Sequence, residues 1–447
     1  MPALPAPLPE RSTLESMVSR VLDAARKQGA TQAEASVSYG HGLTVNVRES
    51  QPESVEFQTD RSLGISVYFG KRTGSASTSD WSDESVRQAV DAACAIAKAS
   101  SEDPCSGLAD ADLMAKSFPD LDLNHPWALG AEEAIEIART TEATALAVDK
   151  RLTRSEGASV DTRHGVSLYA NTHGFLGERR GASHSLGVAV IAEDDAGMQR
   201  DDWFTSARRR EDLESTESVG RKAGERAIAR LGSRKLSTRT APVLFAADVA
   251  RGLFGHFVGA ISGGSLYRRA SFLLDHLGKD VFPSWLSIEQ RPFISRAAGS
   301  ASFDQEGVAT IDRVLIDKGV LQGYVLGSYS ARKLGMKSTG NAGGVFNLIV
   351  TSGNQPFDAL VRDMKEGLIV IELLGQGVNI VTGDYSRGAA GFWVENGKIA
   401  YPVQEITIAG NLRDMFRGIQ AIGSDVDTRG NVRSGSVLID RMTIASG

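Results

Sequence analysis

The chain has 447 residues, room for two to four domains and a sizeable core, and its 41% hydrophobic and 23% charged residues are ordinary for a globular protein. A formal net charge of −6 excludes a general grip on nucleic acid, and two cysteines, Cys94 and Cys105, exclude a disulfide scaffold and every cysteine-rich zinc site. Seven scattered histidines, none spaced as H-x-x-x-H, leave a zinc enzyme poorly supplied, whereas 47 glycines against 13 prolines point to many tight turns.

The start, MPALPAPLPERS, has no basic n-region and no apolar stretch, so it does not read as a signal peptide. No apolar run reaches the ~18 residues of a membrane span, which makes the cytoplasm the expected compartment. Residues 13–28 carry Leu14, Met17, Val18, Val21, Leu22 and Ala25 at the spacing of an amphipathic helix. Alternating runs at 33–39, 42–48, 53–59, 62–69 and 72–78 then predict an antiparallel meander, and a helix at 82–100 opens on Ser82. Residues 101–125 read as an irregular linker. The pattern then returns, with a helix over about 130–148, strands within 153–208 and a helix over 212–231.

The return is a repeat in register. Ala35-Ser36-Val37, His41-Gly42 and Ser62-Leu63-Gly64 recur as Ala158-Ser159-Val160, His164-Gly165 and Ser185-Leu186-Gly187, every one offset by 123 residues. Such a match implies duplication and two similar layers.

From about 240 the chain is richer in glycine. Val243–Ala246 is a predicted strand, and Asp248 is placed to cap a helix over 249–261. Residues 262–306 look mostly irregular. A hairpin turns at Asp317-Lys318-Gly319, and a short helix covers Ser328–Leu334. Strands are expected at 345–351, 368–374, 377–382, 390–395 and 398–401, with a turn at Glu395-Asn396-Gly397. A helical turn at Asp414–Ile419 and strands at Gly435–Ile439 and Met442–Ala445 close the chain.

Most enzyme fingerprints fail. There is no phosphate-binding loop, no G-x-S-x-G and no H-E-x-x-H, and Gly375-Gln376-Gly377 lacks the third glycine of a dinucleotide fold. Tyr329, Ser330 and Lys333 imitate both Y-x-x-x-K and S-x-x-K proton-sharing pairs, but the companion motifs are missing, so a packing helix is the better reading. Two glycine-rich stretches, 259–265 and 375–391, fit either a groove for an extended peptide or close packing within the chain and against a dimer partner. His256, alone on its helix, fits a packed side chain better than a ligand.

Gly252-Leu253-Phe254-Gly255-His256-Phe257-Val258-Gly259-Ala260-Ile261-Ser262-Gly263-Gly264-Ser265, Ser328–Gly335, Lys337–Gly340, Gly383-Asp384-Tyr385-Ser386-Arg387-Gly388-Ala389-Ala390-Gly391-Phe392-Trp393 and Ile406–Leu412 together resemble the PmbA branch, also called TldE, of the TldD/PmbA family. The resemblance covers about 250–440 and implies a cytosolic metallopeptidase. In the TldD branch a helix carries H-E-x-x-x-H and a C-terminal cysteine completes the zinc site. Here Gly255, His256 and Ala260 stand at the motif positions and Ser434 where the cysteine falls. Glycine and alanine offer no donor atom, and a hydroxyl is a poor zinc ligand beside a thiolate.

The resemblance therefore implies a chain that holds no zinc and lacks the H-E-x-x-x-H motif. It would pair with a TldD-type subunit carrying the zinc, with a homodimer allowed when it stands alone. The pair would act on unfolded peptides, as in microcin maturation and antitoxin degradation. The alternative is a peptide-binding or scaffold protein without catalysis, of the kind described as a DNA gyrase modulator. The expected fold is α+β: duplicated helix-plus-antiparallel-sheet units at 1–110 and 125–235, then a glycine-rich, mainly β domain at 240–447. Gly383, Asp384, Tyr385, Arg387 and Gly388 are the expected substrate contacts, with Arg387 for a carboxylate.

Overall fold

The repeated units fold into one sheet. In the computed structural model, which describes residues 7–195 and 197–446, helix α1 (Arg11–Lys27) leads to strands β1 (Gln32–Arg48), β2 (Gln51–Phe69) and β3 (Arg72–Thr78) and helix α2 (Asp83–Ala99). The order returns as α3 (Ala131–Leu146), β4 (Leu152–Asn171), β5 (Leu176–Asp194), β6 (Gly197–Ala207) and α4 (Thr216–Ala229). Residues 1–6 of the proline-rich start lie outside the described residues.

The strands run β3-β2-β1-β4-β5-β6. This corrects the expectation of two layers: the copies join edge to edge through the antiparallel β1–β4 pair. Glu34 faces Asn171, Val47 faces Ala158, and midway His41 faces His164, its own counterpart in the repeat. The pseudo-twofold axis therefore passes through these two histidines, whose rings meet edge-on at 5.5 Å. Two predicted breaks vanish as well: Gly40 and Gly42 pair with Gly165 and Arg163 within the ladder, so β1 runs on unbroken, and Asp60 and Arg61 pair with Gly40 and Tyr39, so β2 does too.

Burial follows the two-residue period. Ala33, Ala35 and Val37 pack under α1 and α2, while Leu43, Val45 and Val47 pack on the same face under α3 and α4. The β1–β2 turn, left-handed at Glu49 (φ 50°) and Ser50 (φ 60°), is tied to the second unit: both N–H groups donate to the buried Glu142 carboxylate, at 2.9 and 2.7 Å. The 101–125 segment has only one helical turn, Ala111–Leu113, yet Met114 and Ala115 pack with Phe175, Phe303 and Val308 between the sheet and the C-terminal part.

The C-terminal part contains β7 (Arg239–Phe245), α5 (Ala247–Ala260), α6 (Gly263–Tyr267), β8 (Ile288–Gln290), β9 (Arg313–Asp317), β10 (Val320–Leu321), α7 (Ser328–Lys333), β11 (Leu348–Val350) and α8 (Phe357–Met364). It continues with β12 (Gly367–Leu374), β13 (Asp384–Glu395), β14 (Lys398–Asn411), α9 (Leu412–Arg417), β15 (Ile419–Ile422), β16 (Val432–Arg433) and β17 (Val437–Ser446). Strands β14-β13-β12-β7-β17 lie in that order and β17 pairs back onto β14, closing a barrel with β15 on its flank. A second sheet runs β10-β9-β8-β11-β16.

Both predicted hairpin turns are present, with Lys318-Gly319 and Asn396-Gly397 left-handed at both positions. The expected strand at 377–382 is a loop that folds back on β13, with only a Val378–Tyr385 bridge. Helix α8 was not expected, and two terminal strands are one. Among the described residues no helix is long and apolar enough to cross a membrane.

Candidate functional site

Helix α5 carries the positions that define the chemistry of the resembled family. Ala250, Leu253, Phe254, Phe257 and Ala260 fill its inner stripe against the barrel core. Its other side is bare: a Cβ built on Gly252, Gly255 or Gly259 meets no heavy atom within 4 Å. Nothing among the described residues requires glycine there, although each costs roughly 0.8–1 kcal/mol of helix stability against alanine. Asp248 does not cap α5 as expected. The N-cap is Ala246, and the Asp248 carboxylate, in the first turn, turns instead to Arg226 of α4 at 3.4 Å.

That contact belongs to a buried ion network missed in the sequence. Arg226 of α4 and Arg230 at its C-cap pair with Asp201 of β6 at 2.8 and 3.2 Å, and Arg230 reaches Glu372 of β12 at 2.6 Å. The network fixes the start of α5 and the barrel wall against the second repeat. Its members are far apart in sequence and match no motif.

The structure brings His256 and the 383–391 stretch together. The half-buried His256 ring lies edge-on to Tyr385, with centroids 6.1 Å apart. Burial, and secondarily the nearby Arg387 cation, push the imidazole pKa below its ordinary value, so it is neutral at pH 7. Tyr385 is 1% exposed, and its hydroxyl has no hydrogen-bond partner among the described residues. Burial pushes this phenol up to about 12, with Arg387 opposing the shift. Arg387 is half-buried and makes two long contacts, to the Leu373 and Leu374 carbonyls at 3.4 Å. The site thus presents a neutral imidazole and a guanidinium with donors to spare, with the unsatisfied phenol buried beneath them. It is equipped to recognise an acceptor such as a carboxylate.

The other expected residues serve the loop. Asp384 is exposed and accepts from Thr382 at 2.6 Å and Asn411 at 3.1 Å, which lowers its pKa. Gly383 is left-handed (φ 86°), and a Cβ there would come within 2.9 Å of Asn411 Oδ1. A Cβ on Gly388 would lie 3.1 Å from the Leu374 side chain. At Gly391 and Gly377 it would overlap the carbonyls of Ile369 and Ser386, so those two glycines are taken up by internal packing. Ser434 is fully buried, and its hydroxyl donates to the adjacent Gly435 carbonyl at 2.9 Å.

The Tyr329-Ser330-Lys333 set does not form a proton-sharing pair. Tyr329 and Lys333 both bind the Asp103 carboxylate, at 2.7 and 3.1 Å, and Ser330 donates instead to the Gly327 carbonyl. Asp103 raises the lysine pKa, the reverse of what a general base needs. Helix α7 clamps the linker.

Zinc does not fit this chain's motif positions. A zinc site takes three or four donor side chains. Here Gly255 and Ala260 have none, Ser434 is turned to its own backbone, and His256 is a single imidazole packed on Tyr385. Among the described residues no three His, Cys, Asp or Glu side chains are grouped to hold a metal ion.

Three domains of one family match in order: PmbA/TldA metallopeptidase domain 1 at 33–97, the central domain at 124–231 and the C-terminal domain at 238–446. The chain belongs to the PmbA/TldD metallopeptidase family. It is 49% identical over 436 residues to the metalloprotease PmbA of Escherichia coli O157:H7, covering 98% of this chain and 97% of that one. To the metalloprotease TldD homologue of Haemophilus influenzae it is 25% identical over 391 residues, covering 82% and 80%. The contrast puts it in the PmbA/TldE branch. A crystal structure from Bacteroides thetaiotaomicron, described as a candidate modulator of DNA gyrase, superposes with a TM-score of 0.92 at 26% identity, covering 97% of this chain and 99% of that one.

Proposed function

We propose that this chain is the non-zinc, PmbA/TldE-type subunit of a cytoplasmic TldD/TldE-like metallopeptidase that acts on unfolded peptides. The zinc, its bound water and the glutamate base belong to a TldD-type partner. This chain contributes the wall of the peptide site, with Thr382–Gly391 along it and Arg387 taking a substrate carboxylate. The observation that carries the reading is the juxtaposition on α5: donors are missing at Gly255 and Ala260, yet His256, Tyr385 and Arg387 are gathered beside a bare helix face.

The test is reconstitution. Each chain alone and both together are assayed on an unfolded peptide, with zinc and with chelator. Chelator-sensitive cleavage should need both chains, and Arg387→Ala should raise KM for peptides whose carboxylate it takes. Full activity of the partner alone, or chelator-sensitive cleavage by this chain alone, overturns the reading.

A further inference from the structure

The face of the first sheet turned away from the helices carries a cavity of about 810 Å³. On β4 and β5 the even-numbered residues, among them Val160, Leu168, Leu186 and Val188, pack under the helices, so Arg163, Gly165, Arg179 and Gly181 face the cavity. The linker over 118–124 and residues 300–303 wall it, and it shares no lining residue with α5 or with the 383–391 stretch.

Three guanidiniums line this cavity, those of Arg163, Arg179 and Arg208, and among the described residues none of them makes an ion pair. The stem of Arg163 lies over β1, its Cγ 3.2 Å from a Cβ built on Gly42. Arg179 is held elsewhere: it lies over the Phe303 ring at 4.3 Å and donates to the Phe303 and Asp304 carbonyls, while its buried Nε has no hydrogen-bond partner. Arg208 donates to the Ala182 and Ala298 carbonyls, at 3.2 and 2.8 Å. On the helix side of the same strand, Arg180 does have a carboxylate, Glu178 at 3.3 Å. Of the remaining carboxylates on the wall, Asp122 is taken by Arg296 and His125. Asp120 accepts the Asp122 N–H at 2.8 Å, and Asp60 stands opposite Gly40 at the β2 end. Unpaired positive charge therefore gathers over β4 and β5, in a chain whose formal charge is −6.

The duplication supplies a comparison within the chain. At the 123-residue offset, Arg163, Arg179 and Gly181 correspond to Gly40, Glu56 and Gln58 of the first copy. The strand registers agree, with Gly42 opposite Gln58 and Gly165 opposite Gly181. One half of the sheet thus forms without these residues, so the fold does not demand them in the other. Between the two arginines, Gly40, Gly165 and Gly181 make one row across β1, β4 and β5. Glycine weakens a strand interior, and it is favoured where a ligand must approach the backbone. None of the three is left-handed. A Cβ at Gly40 would lie 3.6 Å from the His164 carbonyl, and at Gly165 and Gly181 it would lie 3.3 Å from the Tyr39 and Leu123 carbonyls, so packing excludes a side chain at none of them. The row is a bare floor beneath the three guanidiniums.

We propose that this cavity binds an acidic peptide segment, laid along the glycine row with its carboxylates on Arg163, Arg179 and Arg208. Arg163 stands opposite Ser183 and Arg179 opposite Ser167, four ladder positions apart or roughly 13 Å along the strand. Head groups anchored that far apart suit several carboxylates on one chain better than a single small anion. Asp60 keeps the acidic residues to the β4–β5 side. The site does not depend on the peptidase reading, because binding is read on this chain alone.

The test is fluorescence polarisation of rhodamine-labelled hexaglutamate on the full chain, in amidated and free-acid forms. Binding should saturate and should weaken with salt. Arg163→Gly, which installs the first copy's residue, and Arg179→Gln should each weaken it about tenfold or more. Gly40→Val keeps every charge but raises a side chain through the floor, and should weaken binding as well, with all three variants folded by circular dichroism. Arg61→Gln, on the helix side of β2, should leave binding as it was. Either form of the probe supports the site: equal affinity assigns the side-chain carboxylates, and loss with the amide assigns the terminal one. No saturable binding of either form, binding untouched by Arg163→Gly and Arg179→Gln, or an equal loss with Arg61→Gln would overturn it.

Discussion

Replacing Gly252, Gly255 and Gly259 together by alanine should stabilise the isolated chain. All three lie within α5, and an added Cβ at each has open space around it. An interior helical glycine is worth roughly 0.8–1 kcal/mol less than alanine, so the triple variant should gain about 2–3 kcal/mol. By the rule of tenfold per 1.4 kcal/mol, that is roughly a 30- to 150-fold gain in the folding constant. The gain has nothing to cancel it inside the chain, because the opposite stripe of α5 keeps its contacts with the core. The assay is urea unfolding followed by far-UV circular dichroism. The midpoint should rise with an unchanged slope, the mark of a stability change without a change in surface exposed. An earlier midpoint would refute the reasoning, since the bare face would then be serving the chain's own packing. In the reconstituted peptidase the same variant should lower turnover while the subunit itself becomes more stable.

Tyr385→Phe removes a buried hydroxyl that has no partner among the described residues, so the free chain should gain about 1 kcal/mol in the same urea assay. Arg230→Met leaves Glu372 without its cation and Asp201 with one in place of two, and should cost about 3–5 kcal/mol, read as a lower unfolding midpoint. His41, His164, His184 and His256 are all pushed below the ordinary value of 6.5, chiefly by burial. The unfolded chain therefore takes up protons before the folded one, and stability should fall as pH drops through 6.5. A His41→Gln, His164→Gln double variant should flatten that slope in melting temperatures taken from about pH 5 to 8. Gly391→Ala, whose methyl would overlap the Ile369 carbonyl, should yield little folded protein, measured as the soluble fraction on expression.

Much of the fold was readable because its signals are local. The stripe Leu14 to Ala25, the Asn396-Gly397 turn and the 123-residue offset each lie in one stretch or one register. How the copies meet was not readable, because β1 and β4 pair by strand edges and edge pairing leaves no mark on the hydrophobic pattern. Helix α8 did carry a local signal, since Phe357, Leu360, Val361 and Met364 have helical spacing, but it spans only two turns. At the site, α5 and the 383–391 stretch were identified separately, and only the barrel sets His256 against Tyr385. The Asp201–Arg230–Glu372 network had no signal at all, since ion pairs across long separations carry no periodicity.

The pairing of β1 with β4 also sets a schedule for folding during synthesis. β1 ends at Arg48, but its partner is complete only at Asn171. At about 5–20 residues per second, those 123 residues take roughly 6–25 seconds to emerge. Once β2 and β3 have paired, the nascent first unit shows two unpaired strand edges, the inner one of β1 and the outer one of β2 over Gln51–Ser62. Only the first is closed by the chain's own continuation. Ribosome-bound chains of this protein should therefore be most dependent on chaperones between about residue 100 and residue 200, and should lose that dependence once the second meander has docked.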